Sequence, residues 1–176
     1  CIEATLEEMV LDEDVDLVVT ATVGDIALGP TIAALKAGKA VALMVGQSRP
    51  IWDFEDREDW YTRVDVDGMA PVIAVPTTAG TGSEVGRASV IREVESRTKK
   101  IIFHPNMLPG VVISDPELTL SLPPHLTAAT GMDALTHNIE AYLSTAFHPV
   151  CDAIALGGVR RIAQNLRTAV QDGQNI

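Results

Sequence analysis

Two side chains that suit metal binding stand four residues apart in GMDALTHNIEAY, residues 131–142. They are the carboxylate of Asp133 and the imidazole of His137, and the apolar residues around them recur with the period of a helix. On a helix this spacing places both side chains on one face, where an oxygen and a nitrogen can bind one divalent cation. The alternative is a contact between the two side chains that only supports the helix.

A second candidate site is TTAGTGSE, residues 77–84, which follows a predicted strand over residues 72–75 that Pro76 ends. Two glycines allow the backbone to approach a ligand closely, and Thr77, Thr78, Thr81 and Ser83 place hydroxyls beside amides at a predicted helix start. Such a turn suits a ribose or a phosphate. A strand-to-helix turn that is capped by these hydroxyls and binds no ligand is the alternative.

Three stretches together resemble the iron-containing (group III) alcohol dehydrogenases: PVIAVPTTAGTGSE (71–84), KKIIFHPNMLPGVVISDPELTLSLPPHLTAAT (99–130) and GMDALTH (131–137). The resemblance covers about residues 39–176. It implies that Asp133 and His137 bind the metal and that Thr77, Thr78, Thr81, Gly82 and Ser83 bind the cofactor. It also implies that Lys100 lies near the nicotinamide, whereas a lysine that protects an edge strand is the alternative.

The activity implied by this resemblance is hydride transfer between an alcohol and NAD(P), with a divalent metal polarising the substrate oxygen. Iron is the expected metal, with zinc or manganese as alternatives. The resemblance also implies two further histidine ligands downstream of Ile176, and the sequence TVGDIALGP, residues 22–30, lacks the family's glycine-rich GGGS turn. No catalytic acid or base is assigned, and an inactive folded remnant of a dehydrogenase is an alternative.

Residues 6–43 instead resemble the nucleotide-domain segment of a 1-deoxyxylulose-5-phosphate reductoisomerase, an NADPH enzyme. The two resemblances meet at AGKAVAL, residues 37–43, so we interpret the chain as a chimera. Gly38 is the ambiguous residue. The reductoisomerase resemblance implies a strand over residues 39–43, and the dehydrogenase resemblance implies a helix that continues through Met44, which we favour.

The fold expected is an α/β nucleotide-binding part followed by a truncated all-α part, as in the dehydroquinate synthase-like and iron-containing alcohol dehydrogenase-like proteins. Alternating signals predict a helix at residues 2–9, a strand at 17–20 and a helix at 26–37. Residues 1–120 are predicted to form the dinucleotide-binding domain, with the origin of 1–43 left open. Residues 121–176 are predicted to begin the helical metal-binding domain.

The composition excludes some partners and favours others. Thirteen Lys and Arg against 24 Asp and Glu give a net charge of -11, which argues against nucleic acid and membrane surfaces and suits a small alcohol or aldehyde. Two cysteines do not make a disulfide framework, so the cytoplasm is expected. A homo-oligomer is also expected. The remaining histidines, His104, His125 and His148, are predicted to be solvated or capping residues and not metal ligands.

Overall fold

The computed structural model describes residues 19–20, 38–93 and 95–175. The helices predicted at residues 2–9 and 26–37 therefore lie outside the described residues. The described chain forms two compact units. The α/β unit contains residues 19–20, 38–76 and 83–114, apart from 94, and the helical unit contains residues 77–82 and 115–175.

The α/β unit has a parallel sheet of three short strands in the order β1, β2, β5. These are β1 (Val19–Thr20), β2 (Ile73–Val75) and β5 (Val111–Val112). Val19 pairs with Ala74, and Ile73 pairs with Val111. β2 is buried along Ala74 and Val75 and ends where Pro76 removes a backbone donor, as its sequence predicted.

A hairpin completes the strands of this unit. β3 (Ala88–Arg92) and β4 (Lys99–Phe103) run antiparallel, with Val90 opposite Ile101. The Glu93 N–H closes the hairpin by donating to the Thr98 carbonyl at 2.9 Å, and Arg97 takes a left-handed φ of 56° in the turn. Each strand contains two β-branched residues, Val90 and Ile91 in β3 and Ile101 and Ile102 in β4, and this residue type favours paired strands.

Residues 38–44 form a helix, α1, so the helical conformation predicted up to Met44 is confirmed over these residues and the strand over residues 39–43 is excluded. Leu43 is fully buried in a core cluster with four residues from later segments, namely Phe54, Val64, Ile102 and Met107. The junction segment therefore packs as part of the α/β core, because an apolar face of α1 meets the aromatic and aliphatic residues that follow it.

Residues 47–69 form an irregular connection that is anchored by aromatic side chains. It contains two short 3₁₀ turns, Ile51–Phe54 and Trp60–Arg63. Phe54 and Trp60 are buried, and the Trp60 ring meets the Phe103 ring edge to face at 5.6 Å. These two side chains hold an otherwise charged segment against the core.

The helical unit is built on two long helices, α2 (Pro124–Leu143) and α3 (Pro149–Gln171). Each begins with proline at its first residue, where the missing N–H has no helical partner to lose. The two helices approach closely at two glycines. A Cβ added at Gly131 would collide with Leu166, and one added at Gly158 would collide with Asn138.

The arrangement is the expected one, an α/β part followed by an all-helical part. The predicted boundary between residues 120 and 121 stays a prediction. Among the described residues, no helix combines the length and the apolar character that a membrane span requires.

His104 is a buried capping residue at the end of β4. Its Nδ1 accepts a hydrogen bond from the backbone N–H of Asn106 at 3.1 Å, and its ring meets Trp60 edge to face at 6.1 Å. Burial lowers the pKa of His104 below its ordinary value. The accepting Nδ1 requires the neutral ring, so the cap and the burial both disfavour protonation.

We predict that the chain loses stability as the pH falls through about 6.5, the pKa of an unfolded histidine, because the unfolded chain then binds more protons than the folded one. Asparagine can replace Nδ1 as the acceptor without titrating. His104→Asn should therefore flatten the pH dependence of the unfolding free energy between about pH 5.5 and about pH 7.5 in urea titrations. The matched control is His125→Asn, at an exposed histidine of α2, which should leave the slope unchanged. A slope that His104→Asn does not alter would contradict this prediction.

Candidate metal centre and cofactor turn

Asp133 and His137 lie one turn apart on α2, as their spacing predicted. The Oδ2 atom of Asp133 is 3.6 Å from the Nδ1 atom of His137. Both side chains remain partly accessible, at 40% and 51% of their surface. The helix alone brings these two donor atoms together, since residues four apart stack on one face.

The two donors fit a divalent cation. Asp133 Oδ2 is buried and accepts no hydrogen bond from the residues that the structure describes. An orphaned buried carboxylate oxygen is costly unless a proton or a cation neutralises it. Two bonds of about 2.1 Å to one ion allow donor atoms up to about 4.2 Å apart, so the observed 3.6 Å is compatible with a shared ligand.

The described residues provide only part of a metal shell. No group of three or more His, Cys, Asp or Glu side chains among them is arranged to hold a metal. His148 caps α3 by accepting the Cys151 N–H at 3.3 Å, and His125 is exposed. With His104 also capping a turn, these three histidines are capping or solvated residues, as predicted.

The turn after β2 begins with a buried hydroxyl. Thr77 is 8% exposed, and its Oγ1 has no hydrogen-bond partner among the described residues. A buried hydroxyl without a partner suits a ligand that donates or accepts a hydrogen bond there. Gly82 has a φ of 60°, a conformation that favours glycine over any residue with a Cβ.

The helix predicted to follow this turn is absent, and that expectation was wrong. A three-residue 3₁₀ turn, Ser83–Val85, is followed at once by β3. Glycine and β-branched residues after Glu84 favour the strand over a helix. The turn therefore offers hydroxyls and amides without a long helix dipole behind them.

Gly80 packs directly against α2. A Cβ added at Gly80 would lie 3.1 Å from the Thr130 Cβ and 3.3 Å from the Thr130 carbonyl oxygen. Thr130 is buried and donates its hydroxyl to the Leu126 carbonyl at 2.9 Å, so its side chain is held in place. Because Thr130 precedes Asp133 by less than one helical turn, residues 77–82 of the threonine-rich turn lie against the same part of α2 that carries Asp133.

Lys100 lies in a cluster of charged side chains in the α/β unit. Its Nζ is 2.8 Å from Glu93 Oε1 and 3.6 Å from Glu55 Oε2, and it lies 4.9 Å from the Trp52 ring centroid. The hydrogen bond to Glu93 raises the pKa of Lys100, and the same bond lowers the pKa of Glu93. These contacts account for the lysine without a ligand, and its cofactor role stays a prediction.

Lys39 is a buried residue that bonds to the end of the threonine-rich turn, and the sequence analysis missed it. It is 1% exposed, and its Nζ donates to the carbonyls of Ser83 and Gly86 at 2.8 and 2.9 Å. The signal was present as a lysine inside an apolar helix, GKAVALM. The partners could not be predicted, because they lie 44 and 47 residues away.

The chain belongs to the iron-containing alcohol dehydrogenase family, whose profile matches residues 26–116. The profile of the Fe-containing alcohol dehydrogenase family, C-terminal, matches residues 127–176. A third profile, 1-deoxy-D-xylulose 5-phosphate reductoisomerase, matches residues 1–45. Both resemblances predicted from the sequence are thus confirmed, and they overlap at the junction.

Curated relatives include "Alcohol dehydrogenase 4" of Saccharomyces cerevisiae, 42% identical over 78% of this chain and 35% of the relative. The "1,3-propanediol dehydrogenase" of Klebsiella pneumoniae is 51% identical over 61% of this chain and 28% of the relative. The chain thus spans about a third of the length of the curated relatives it matches.

A solved structure with a similar fold is that of sulfoacetaldehyde reductase from Bifidobacterium kashiwanohense in complex with NAD+. It superposes with a TM-score of 0.74 at 36% identity, over 81% of this chain and 37% of the other. The similarity extends across most of the chain, which agrees with the family match.

We predict that Gly80→Ala lowers the unfolding free energy by about 1–2 kcal/mol, because the new Cβ overpacks the contact with Thr130. Gly86→Ala is the matched control, since its Cβ would meet only the Ser83 carbonyl oxygen at 3.7 Å. Both changes restrict the unfolded chain equally, so their difference in urea denaturation isolates the contact. Equal stability of the two variants would show that Gly80 is not closely packed against α2.

Proposed function

We propose that this protein is an oxidoreductase that transfers a hydride between a small alcohol or aldehyde and NAD(P), and that it requires a divalent metal. The observation that carries the proposal is the convergence of Asp133 Oδ2 and His137 Nδ1 on one face of α2. The carboxylate oxygen is buried and accepts no hydrogen bond from the part of the chain that the structure describes. Relatives named as alcohol and propanediol dehydrogenases support it.

Asp133 and His137 would hold the metal, one as an anionic oxygen ligand and the other as a neutral nitrogen ligand. When bound, the ion supplies Lewis-acid polarisation of the substrate oxygen. The carboxylate of Asp133 balances part of the ion's charge, and the helix keeps both donors in register. Iron fits the family, while zinc and manganese use the same donor types.

The residues proposed to bind the cofactor are those of the turn, Thr77, Thr78, Thr81, Gly82 and Ser83, together with Lys100. The orphaned hydroxyl of Thr77 and the left-handed Gly82 support this role, since one offers a hydrogen bond and the other a close backbone approach. The NAD+ complex of the Bifidobacterium reductase supports NAD as the cofactor. NADP is the alternative.

Association into a homo-oligomer and a cytoplasmic location belong to the same proposal. Exposed apolar residues of the helical unit, which include Ile139, Tyr142, Ile154 and Leu156, support association with further protein surface. The net charge of -11 argues against nucleic acid and anionic membranes as partners.

The reductoisomerase-like function is the weaker candidate. Its profile matches residues 1–45, but the described end of that stretch is helix α1, packed into the α/β core. The helical form agrees with the dehydrogenase resemblance in the segment that both profiles cover.

Thr77→Val separates cofactor binding from folding. Removing a buried hydroxyl without a protein partner should leave the chain at least as stable as before, whereas the lost hydrogen bond should weaken NADH binding about tenfold. Nicotinamide fluorescence titrations and thermal unfolding measure the two effects. Thr168→Val, at an exposed position of α3, should change neither. A less stable variant with unaltered NADH affinity would make Thr77 a structural residue.

The metal is tested with Asp133→Ala and His137→Ala, and with Glu140→Ala as an exposed acidic control on the same helix. Two ligands hold an ion weakly, so binding of Fe²⁺, Zn²⁺ or Mn²⁺ is measured at equilibrium by elemental analysis across a dialysis membrane. The first two variants should lose at least about tenfold in metal affinity, together with any metal-dependent oxidation of alcohols by NAD(P)+.

Glu140→Ala should retain both properties. Equal metal affinity of the Asp133→Ala variant and the unaltered chain would remove the metal site from α2. Metal and NADH binding without turnover would favour the inactive remnant.

A further inference from the structure

Lys39 is the most deeply buried charged residue among those whose burial the structure describes. It lies on α1, where three of its neighbours, Ala40, Ala42 and Leu43, are also buried. A buried ammonium group is costly unless hydrogen bonds replace its water. The Ser83 and Gly86 carbonyls, at 2.8 and 2.9 Å, provide two of these bonds.

The two carbonyls lie at the start and just after the end of the 3₁₀ turn Ser83–Val85. The Ser83 oxygen also accepts the Gly86 N–H at 3.3 Å, so it receives a main-chain bond and a lysine bond together. These two hydrogen bonds restrict the orientation of the peptide group that carries the Ser83 oxygen. Lys39 thus connects α1 to Ser83, which is the last turn residue proposed to bind the cofactor.

We propose that Lys39 is a positioning residue that holds the Ser83–Gly86 backbone in the conformation that binds the nicotinamide cofactor. It acts through the turn and needs no contact with the cofactor. The inference rests on the proposed cofactor role of Ser83. Without the Lys39 ammonium group, the Ser83 and Gly86 peptide groups would sample other orientations. The cofactor would then bind only the fraction of molecules in which the turn is correctly arranged.

An apolar side chain of similar length would avoid the cost of burying a charge, but it would leave the Ser83 and Gly86 carbonyls without the lysine donor. Methionine at this position should preserve the apolar packing of α1 and remove both hydrogen bonds to the turn. The change separates a role in turn geometry from a role in stability.

The test compares Lys39→Met with Lys39→Arg and with Lys99→Met, which alters an exposed lysine of β4. NADH affinity is measured by fluorescence, and hydrogen exchange is measured for the amides of residues 83–87. Lys39→Met should weaken NADH binding about tenfold and speed exchange in this segment. Lys39→Arg keeps the charge and hydrogen-bond donors in a bulkier side chain, so it should lose less NADH affinity than Lys39→Met. Lys99→Met should change neither quantity.

Several outcomes would overturn the role of Lys39. These are unchanged exchange in Lys39→Met, unchanged NADH affinity, or an equal loss in the Met and Arg variants, which would assign the effect to packing. An unaltered chain that binds neither NADH nor NADPH would instead refute the proposed function, and the cofactor role of Lys39 with it.

The unaltered chain provides a second measurement in case Lys39→Met does not fold. If Lys39 transmits order between the turn and α1, adding NADH should slow exchange in residues 83–87 and in residues 38–44 together. Protection of the turn with no change in α1 would contradict the proposal.

Discussion

The contact between Gly80 and Thr130 is the constraint that relates the two candidate sites. It places the threonine-rich turn directly on α2, less than one helical turn before Asp133. The proposed hydride transfer would pass between the nicotinamide carbon and the substrate carbon, so it depends on the distance between the cofactor and the substrate held at the metal. A glycine at this point lets the turn approach the helix more closely than any other residue would allow. On the helical side, α2 also packs closely against α3 at Gly131 and Gly158.

Several buried or partly buried polar side chains in the described part of the α/β unit bond to the backbone or to each other. Lys39 reaches two carbonyls, His104 accepts an amide, and Lys100 pairs with Glu93 and Glu55. In each case, these bonds offset part of the free-energy cost of removing a polar group from water. These bonds connect α1, the hairpin and the turns around a small apolar cluster. The unit therefore depends on them for the orientation of its loops as well as for packing.

The junction between the two resemblances is resolved by packing. AGKAVAL is compatible with either a strand or a helix, since alanine, valine and leucine occur in both. Leu43 enters the cluster with Phe54 and Ile102, and Lys39 bonds to Ser83 and Gly86. All of these partners lie in the dehydrogenase-like part of the chain. Their contacts select the helix, which agrees with the family match over residues 26–116.

Local features could be predicted from the sequence: the strand at residues 72–75, which the structure has at 73–75, the helical character of the part that begins at residue 121, and the pairing of Asp133 with His137 on one helix face. Each follows from a period or a spacing within a few residues. The strand that follows the turn has a local cause in the residues after Glu84, although a helix was predicted there. The support of the turn by Lys39 and Gly80 is visible only in the folded structure, because these contacts join residues about 44 to 50 positions apart and local propensity carries no information about such partners.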